Sequence, residues 1–153
     1  MNAPAPTVYV DADACPVKAE ALRVAERHKA KVIYVSDGGV RPNPHPLAEV
    51  VVVTQGADAA DDWIVERIGE GDICVTGDIP LADRCIKAGA RAIRHNGEMF
   101  TASNIGSMLA TRDLMTDLRA ANPLNQGGGG RPFSKADRSR FLEGLERLLR
   151  QRR

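Results

Sequence analysis

No apolar run in this sequence approaches the roughly 20 residues that a membrane-spanning helix requires. Cysteine is scarce, with three residues at Cys15, Cys74 and Cys85. Their odd number and wide spacing offer neither a disulfide framework nor paired zinc ligands. Cys74 falls in an apolar strand and Cys85 in a helix, where buried free thiol is the plain reading. Net charge is nearly absent as well, at +1, so overall charge selects no partner. The opening Met1-Asn2-Ala3-Pro4-Ala5-Pro6 is too short and proline-broken for a secretory signal, and there is no internal repeat. These absences leave a soluble cytoplasmic protein. Its 153 residues suit one compact domain with a real apolar core.

What is present alternates between strand and helix. Thr7 to Asp11 reads as a buried strand, and Pro16 fits a first helical position for a helix running to about His28. Lys31 to Ser36 is a second strand, followed by the turn residues Asp37-Gly38-Gly39. Arg41-Pro42-Asn43-Pro44-His45-Pro46 is a stiff extended loop. The unbroken valines of Glu49 to Thr54 indicate a third, interior strand. Ala57 to Ile68 is helical, Asp72 to Thr76 a strand, Pro80 to about Gly89 a helix, and Ala90 to Arg94 the last strand. This order predicts an α/β fold whose mostly parallel sheet is covered on both faces.

Beyond Asn96 the pattern is helical only. Thr101 can cap a helix carrying Ile105, Met108, Leu109, Leu114, Met115 and Leu118, while Ser134 and Asp137 form a capping box before Phe141, Leu145, Leu148 and Leu149. The chain therefore divides into an α/β domain over 1–125, a glycine-rich linker over 126–133 and a basic amphipathic helix over 134–153. From Arg131 onward, eight Lys or Arg face three acids, a local +5 that leaves −4 for the rest. That helix can pack on the domain or pair with a second subunit, and its basic end can attract a nucleic acid backbone. Equally, basic residues at a helix carboxyl end compensate its dipole.

The acids are the chemically informative residues. In a parallel α/β sheet, strand carboxyl ends and helix starts share one edge, so Asp11, Asp13, Asp61, Asp62 and Asp78 should converge on one crevice. Gathered carboxylates repel unless a cation sits among them, and Mg²⁺ or Mn²⁺ prefers such oxygen ligands. The alternatives are structural. Asp13 can cap the first helix, Asp58 the second and Asp78 the third, and first-turn acids complement a helix dipole. Asp83 reads as an ordinary helix acid. Arg41 and Lys18 stand where they could offset phosphate charge, while His45 reads as surface.

Val10-Asp11-Ala12-Asp13-Ala14-Cys15-Pro16-Val17, the segment Gly56 to Val65 and Thr76-Gly77-Asp78-Ile79-Pro80-Leu81-Ala82 resemble the YaiI/YqxD family of uncharacterised bacterial proteins. Met115 to Leu118 and the glycine linker fit too, so the resemblance covers nearly the whole chain. More distantly, a strand Asp, an Ala-Asp-Asp helix start and Thr-x-Asp-x-x-Leu resemble PIN-like nucleases, including the 5′-nuclease branch. That similarity implies a three-layer α/β/α fold and one or two Mg²⁺ or Mn²⁺ ions activating water against a phosphodiester. It makes Asp11, Asp61, Asp62 and Asp78 ligands, with Asp13 beside them, and Asp11 and Asp78 the catalytic pair. Arg41, Lys18 and Thr76 would contact substrate, RNA ahead of DNA. Ala59 and Pro80 stand where the 5′-nuclease branch places further acids, which removes ligands a second ion would use.

Two other functions fit the residues. A haloacid-dehalogenase-like phosphatase would use Asp11 as nucleophile and Asp13 as general acid, with Asp78 and Asp83 as late acids. No Lys lies between Lys31 and Lys87, however, where that mechanism needs one. A catalytically silent nucleic-acid-binding module would keep the fold without the chemistry.

Overall fold

The computed structural model describes residues 5–54, 56, 58–121 and 132–151. Six strands form one sheet in the order β3-β2-β1-β4-β5-β6. They are β1 (Val8–Asp11), β2 (Val32–Ser36), β3 (Ala48–Val52), β4 (Ile73–Val75), β5 (Arg91–Ile93) and β6 (Met99–Phe100). The first five are parallel and β6 runs antiparallel to β5. The helices are α1 (Lys18–Arg27), α2 (Ala59–Arg67), α3 (Ile79–Lys87), α4 (Ile105–Ala121) and α5 (Lys135–Arg150).

Strand alternation sorts the apolar residues into two cores. Val8 and Val10 of β1, with Val32, Ile73 and Ile93, pack beneath α1 and α5. Tyr9 of the same strand, with Ile33, Cys74 and Ala92, packs against α2, α3 and the start of α4. The result is a three-layer α/β arrangement, as expected. Cys15, Cys74 and Cys85 are all buried free thiols.

The strand order sets the position of any site. The chain winds outward from β1 through β2 to β3, then returns to place β4 on the other side of β1. Helices following these two halves lie on opposite faces, which opens a crevice at the carboxyl ends of β1 and β4. Asp11 ends β1, and Thr76 follows β4 directly.

Four expectations need correction. The valine-rich third strand is Ala48–Val52 and lies at the sheet's edge, with Val52 62% exposed. Its valines reflect strand propensity rather than burial on both faces. Helix α1 starts at Lys18, because Ala14 takes a left-handed φ of 60° and a turn occupies Pro16 and Val17. The region after Asn96 is not purely helical, since Asn96-Gly97 turns the chain back into β6. Gly97 has φ of 90°, and a Cβ there would lie 2.5 Å from the Arg140 carbonyl of α5, so only glycine fits. Finally, the outer part of α4 is bare, with Leu114 58% and Leu118 53% exposed.

The caps expected at Thr101 and Ser134 agree with the structure. Thr101 Oγ1 accepts from Asn104 N–H, and Ser134 with Asp137 makes a reciprocal capping box. Phe141, Leu145 and Leu149 of α5 are fully buried in the chain's own core, so pairing with a second subunit would have to use the helix's outer face. Several of its cations are already matched: Arg138 with Glu20 of α1, Arg140 with Asp137 and Arg150 with Glu146. The Gln126–Gly130 run and the terminal Arg152 and Arg153 lie outside the described residues.

Candidate functional site

Thr76 organises the crevice. It is fully buried, and its hydroxyl donates to Asp11 Oδ2 (2.9 Å) while accepting from the Asp78 N–H (2.9 Å). A substrate contact was expected of Thr76, but its burial makes it a tether between two acids instead. Asp78 is the N-cap of α3, with Oδ1 accepting from Leu81 N–H (3.0 Å). Capping occupies one oxygen, so Asp78 can serve the helix and still offer the other.

Electrostatics bring a third segment to this place. Asp61, in the first turn of α2, has its carboxyl pushed up to about 6, first by burial and then by Asp78, Asp11 and Asp58, with Arg84 pulling it back. Asp11 is also raised, again by burial first, against the Thr76 hydrogen bond and with help from Asp78 and Asp13. Asp11, Asp61 and Asp78 thus feel one another across three elements. The Asp61 carboxyl has no hydrogen-bond partner among the described residues.

The other predicted acids are committed elsewhere. Asp13 Oδ1 accepts from Ser36 Oγ (2.8 Å) and Oδ2 from Asp37 N–H (3.1 Å), so it anchors the loop after β2. It does not cap α1, whose N-cap is Val17. Asp62 points to solvent and pairs with Arg84 (2.9 Å). Asp58 holds the N-cap position of α2 without a capping hydrogen bond. Asp83 pairs with Lys87 (2.8 Å), which removes it from the late-acid role in the phosphatase reading.

Hard divalent cations favour carboxylate oxygens. The half-buried, mutually repelling Asp11, Asp61 and Asp78 are a donor set of that character. No three acidic, histidine or cysteine groups among the described residues are already drawn into a cage, so these three would have to close around an ion.

Two cations were expected to offset phosphate charge here. Lys18 Nζ donates to the carbonyls of Cys15 (3.0 Å) and Ala12 (3.4 Å), which pins it just beyond the end of β1. Arg41 lies on the exposed loop between β2 and β3, and no ion pair or hydrogen bond engages it among the described residues. His45 is turned away, with Nε2 3.3 Å from Glu26 of α1.

Sequence reasoning missed His95. It follows β5 at the same carboxyl edge, and its ring lies over Gly77, 3.5 Å from where a Cβ would stand. Its Nε2 is buried with no hydrogen-bond partner among the described residues, and burial, Arg94 and Lys18 hold the imidazole below its usual pKa. The signal was available, since His95 lies just past the end of a strand at the edge where Asp11 ends β1, but a search for acids passes over it.

The fold and this edge define a doubly wound α/β protein with carboxylates at its switch point. The model of the uncharacterised YaiI/YqxD family matches residues 9–151, and the chain belongs to that family. UPF0178 proteins are close relatives: that of Ruegeria pomeroyi is 65% identical over 144 residues, covering 94% of each chain. The one from Roseobacter denitrificans is 62% identical, over 94% of this chain and 95% of the relative. In Parvibaculum lavamentivorans the relative is 58% identical, over 91% and 90%. No solved structure matches.

Proposed function

We propose that this protein is a divalent-metal-dependent nuclease that hydrolyses phosphodiester bonds, in RNA ahead of DNA, at the carboxyl edge of β1 and β4. The observation that carries this reading is the crowding of Asp11, Asp61 and Asp78 at one edge, where burial first and then Asp78 and Asp11 push Asp61 up to about 6. The cap made by Asp78 and the Thr76 bond to Asp11 leave the crowding at Asp61 unrelieved, whereas a Mg²⁺ or Mn²⁺ ion would turn each repulsion into an attraction. The distant resemblance to PIN-like nucleases supplies the reaction type.

When bound, such an ion supplies a Lewis acid and a water of lowered pKa. The chain's own residues account for the rest. Asp11, Asp61 and Asp78 would hold the ion, with Asp61 drawn in from α2. Thr76 fixes the spacing of Asp11 and Asp78 by bonding both. Lys18, already pinned beside the strand end, would offset phosphate charge together with Arg41.

Labelled RNA and DNA strands incubated with Mn²⁺ test the reading, with Asp11→Asn and Asp78→Asn as controls. Asn still accepts a hydrogen bond, so the Thr76 tether and the α3 cap survive. Metal-dependent cleavage should fall about a hundredfold or more in each variant. Absence of cleavage, or cleavage that both variants retain, overturns the nuclease. Binding without cleavage would favour the silent module.

A further inference from the structure

A cleft of about 460 Å³ opens between the start of α1 and the loop joining β2 to β3. Its size falls in the range of small-ligand pockets, about 300–1,000 Å³. Tyr34 lines it from β2, buried and fixed by the bond from its hydroxyl to the Lys18 carbonyl (2.7 Å). Val40, Pro42 and Pro44 add apolar ring and methyl surface, which suits a flat, weakly hydrated group.

The charged groups that line this cleft have one sign. Among the described residues that line it, Lys18 and Arg41 are cations and none is an acid. Asn43 has its side-chain oxygen occupied by the His45 N–H (2.9 Å), which leaves its amide hydrogens to donate. Cations and amide donors set around apolar walls match a ligand that is both flat and anionic. A nucleotide is such a ligand: its base offers ring nitrogens and carbonyls, and its phosphate carries the charge.

The cleft and the acidic edge are joined by hydrogen bonds. Asp13, next but one to Asp11, accepts from Ser36 Oγ, and that same oxygen accepts from Gly38 N–H (3.0 Å) and Gly39 N–H (3.1 Å). The base of the Arg41 loop is therefore registered to the strand that carries Asp11. Lys18 both lines the cleft and touches the carbonyl of Ala12, between the two acids.

We propose that this cleft receives one unpaired base of a single-stranded nucleic acid, with Lys18 and Arg41 holding the adjoining phosphate toward the acidic edge. The assignment rests on the nuclease reading and narrows it, because a base held in a duplex cannot enter a slot. Paired strands would have to open first.

The test is fluorescence anisotropy of a labelled single-stranded RNA hexamer in EDTA, where cleavage plays no part. Arg41→Ala removes the free guanidinium from an exposed loop, and Ala19→Trp fills the cleft from the exposed first turn of α1 while sparing every cation. Circular dichroism verifies that both variants are folded. Each should weaken binding about tenfold or more. A blunt duplex of the same sequence should bind at least about tenfold less tightly than the single strand. A nucleoside monophosphate should displace the hexamer at concentrations where inorganic phosphate does not. Equal binding of duplex, unchanged binding by either variant, or equal competition by phosphate overturns the proposal. Binding in EDTA without cleavage in Mn²⁺ would sink the nuclease and leave the base slot standing; cleavage without cleft-dependent binding would do the reverse.

Discussion

Asp72 and Asp61 are half-buried carboxylates on the same protein, yet their surroundings are opposite. Asp72 stands at the amino edge of the sheet, just before β4. Its Oδ1 accepts from Thr7 N–H and its Oδ2 from Gly69 N–H, each at 3.0 Å. It thereby ties the start of β1 to the loop leaving α2. Asp61 stands at the carboxyl edge, where its strongest electrical neighbours are Asp78 and Asp11. A carboxylate facing donors stabilises a fold; one facing other carboxylates costs stability. Perturbed groups of the second kind gather at functional sites because only a ligand repays their placement.

The largest stability effect should come from the amino edge. Asp72→Ala leaves two backbone N–H groups without their charged acceptor, a loss of about 2–3 kcal/mol. For a chain of this size that corresponds to roughly 5–10 °C in melting temperature. Thermal and urea unfolding measure it. A cost no greater than that of replacing an acid at the carboxyl edge would erase the distinction between the two edges.

Asp61→Asn should act in the opposite direction. The native carboxyl titrates near 6 rather than 3.8, so the folded state binds more protons than the unfolded state between those values. Stability contributed at Asp61 therefore declines as pH rises through that window, and the full penalty is present above pH 6. Solvent screening of this half-exposed group reduces the penalty to on the order of 1 kcal/mol. In EDTA, Asn at 61 should stabilise the protein by that amount at pH 7.5 and by nothing near pH 4. The same variant should cleave RNA poorly, being firmer and less active at once. A variant that is less stable at pH 7.5 would show that Asp61 serves the fold.

Much of this contrast is legible in the amino-acid sequence. The alternation of strands and helices places Asp11, Asp61 and Asp78 on one edge, because strand direction in a parallel sheet leaves no other arrangement. Which acids are free is not legible there. Asp13 depends on Ser36, over twenty residues away, and Asp62 on Arg84 of another helix. Such partners are set by packing, which short motifs do not encode. The valines of β3 likewise report strand propensity and are silent about edge or interior. A strand of two residues, β6, is too short to show a period, although Asn96-Gly97 marks its turn. His95 escapes for a different reason: its position is readable, but its chemistry lies outside the acids being sought.

The smallest effect sharpens the comparison within a single helix turn. Asp62 adjoins Asp61 in sequence but lies 56% exposed, and its partner Arg84 is 43% exposed. A surface pair of this kind contributes about 0–0.5 kcal/mol, so Asp62→Asn should barely move the unfolding midpoint. Its informative consequence is electrical. Arg84 already pulls the Asp61 carboxyl down, and without Asp62 its guanidinium is free to turn wholly toward that neighbour. Carbon-detected NMR titration of the Asp61 carboxyl should then show a midpoint below about 6, moved toward the ordinary carboxylate range. An unmoved midpoint would mean that burial and the two acids beyond α2, rather than the division of Arg84 between adjacent carboxylates, set the charge state of Asp61.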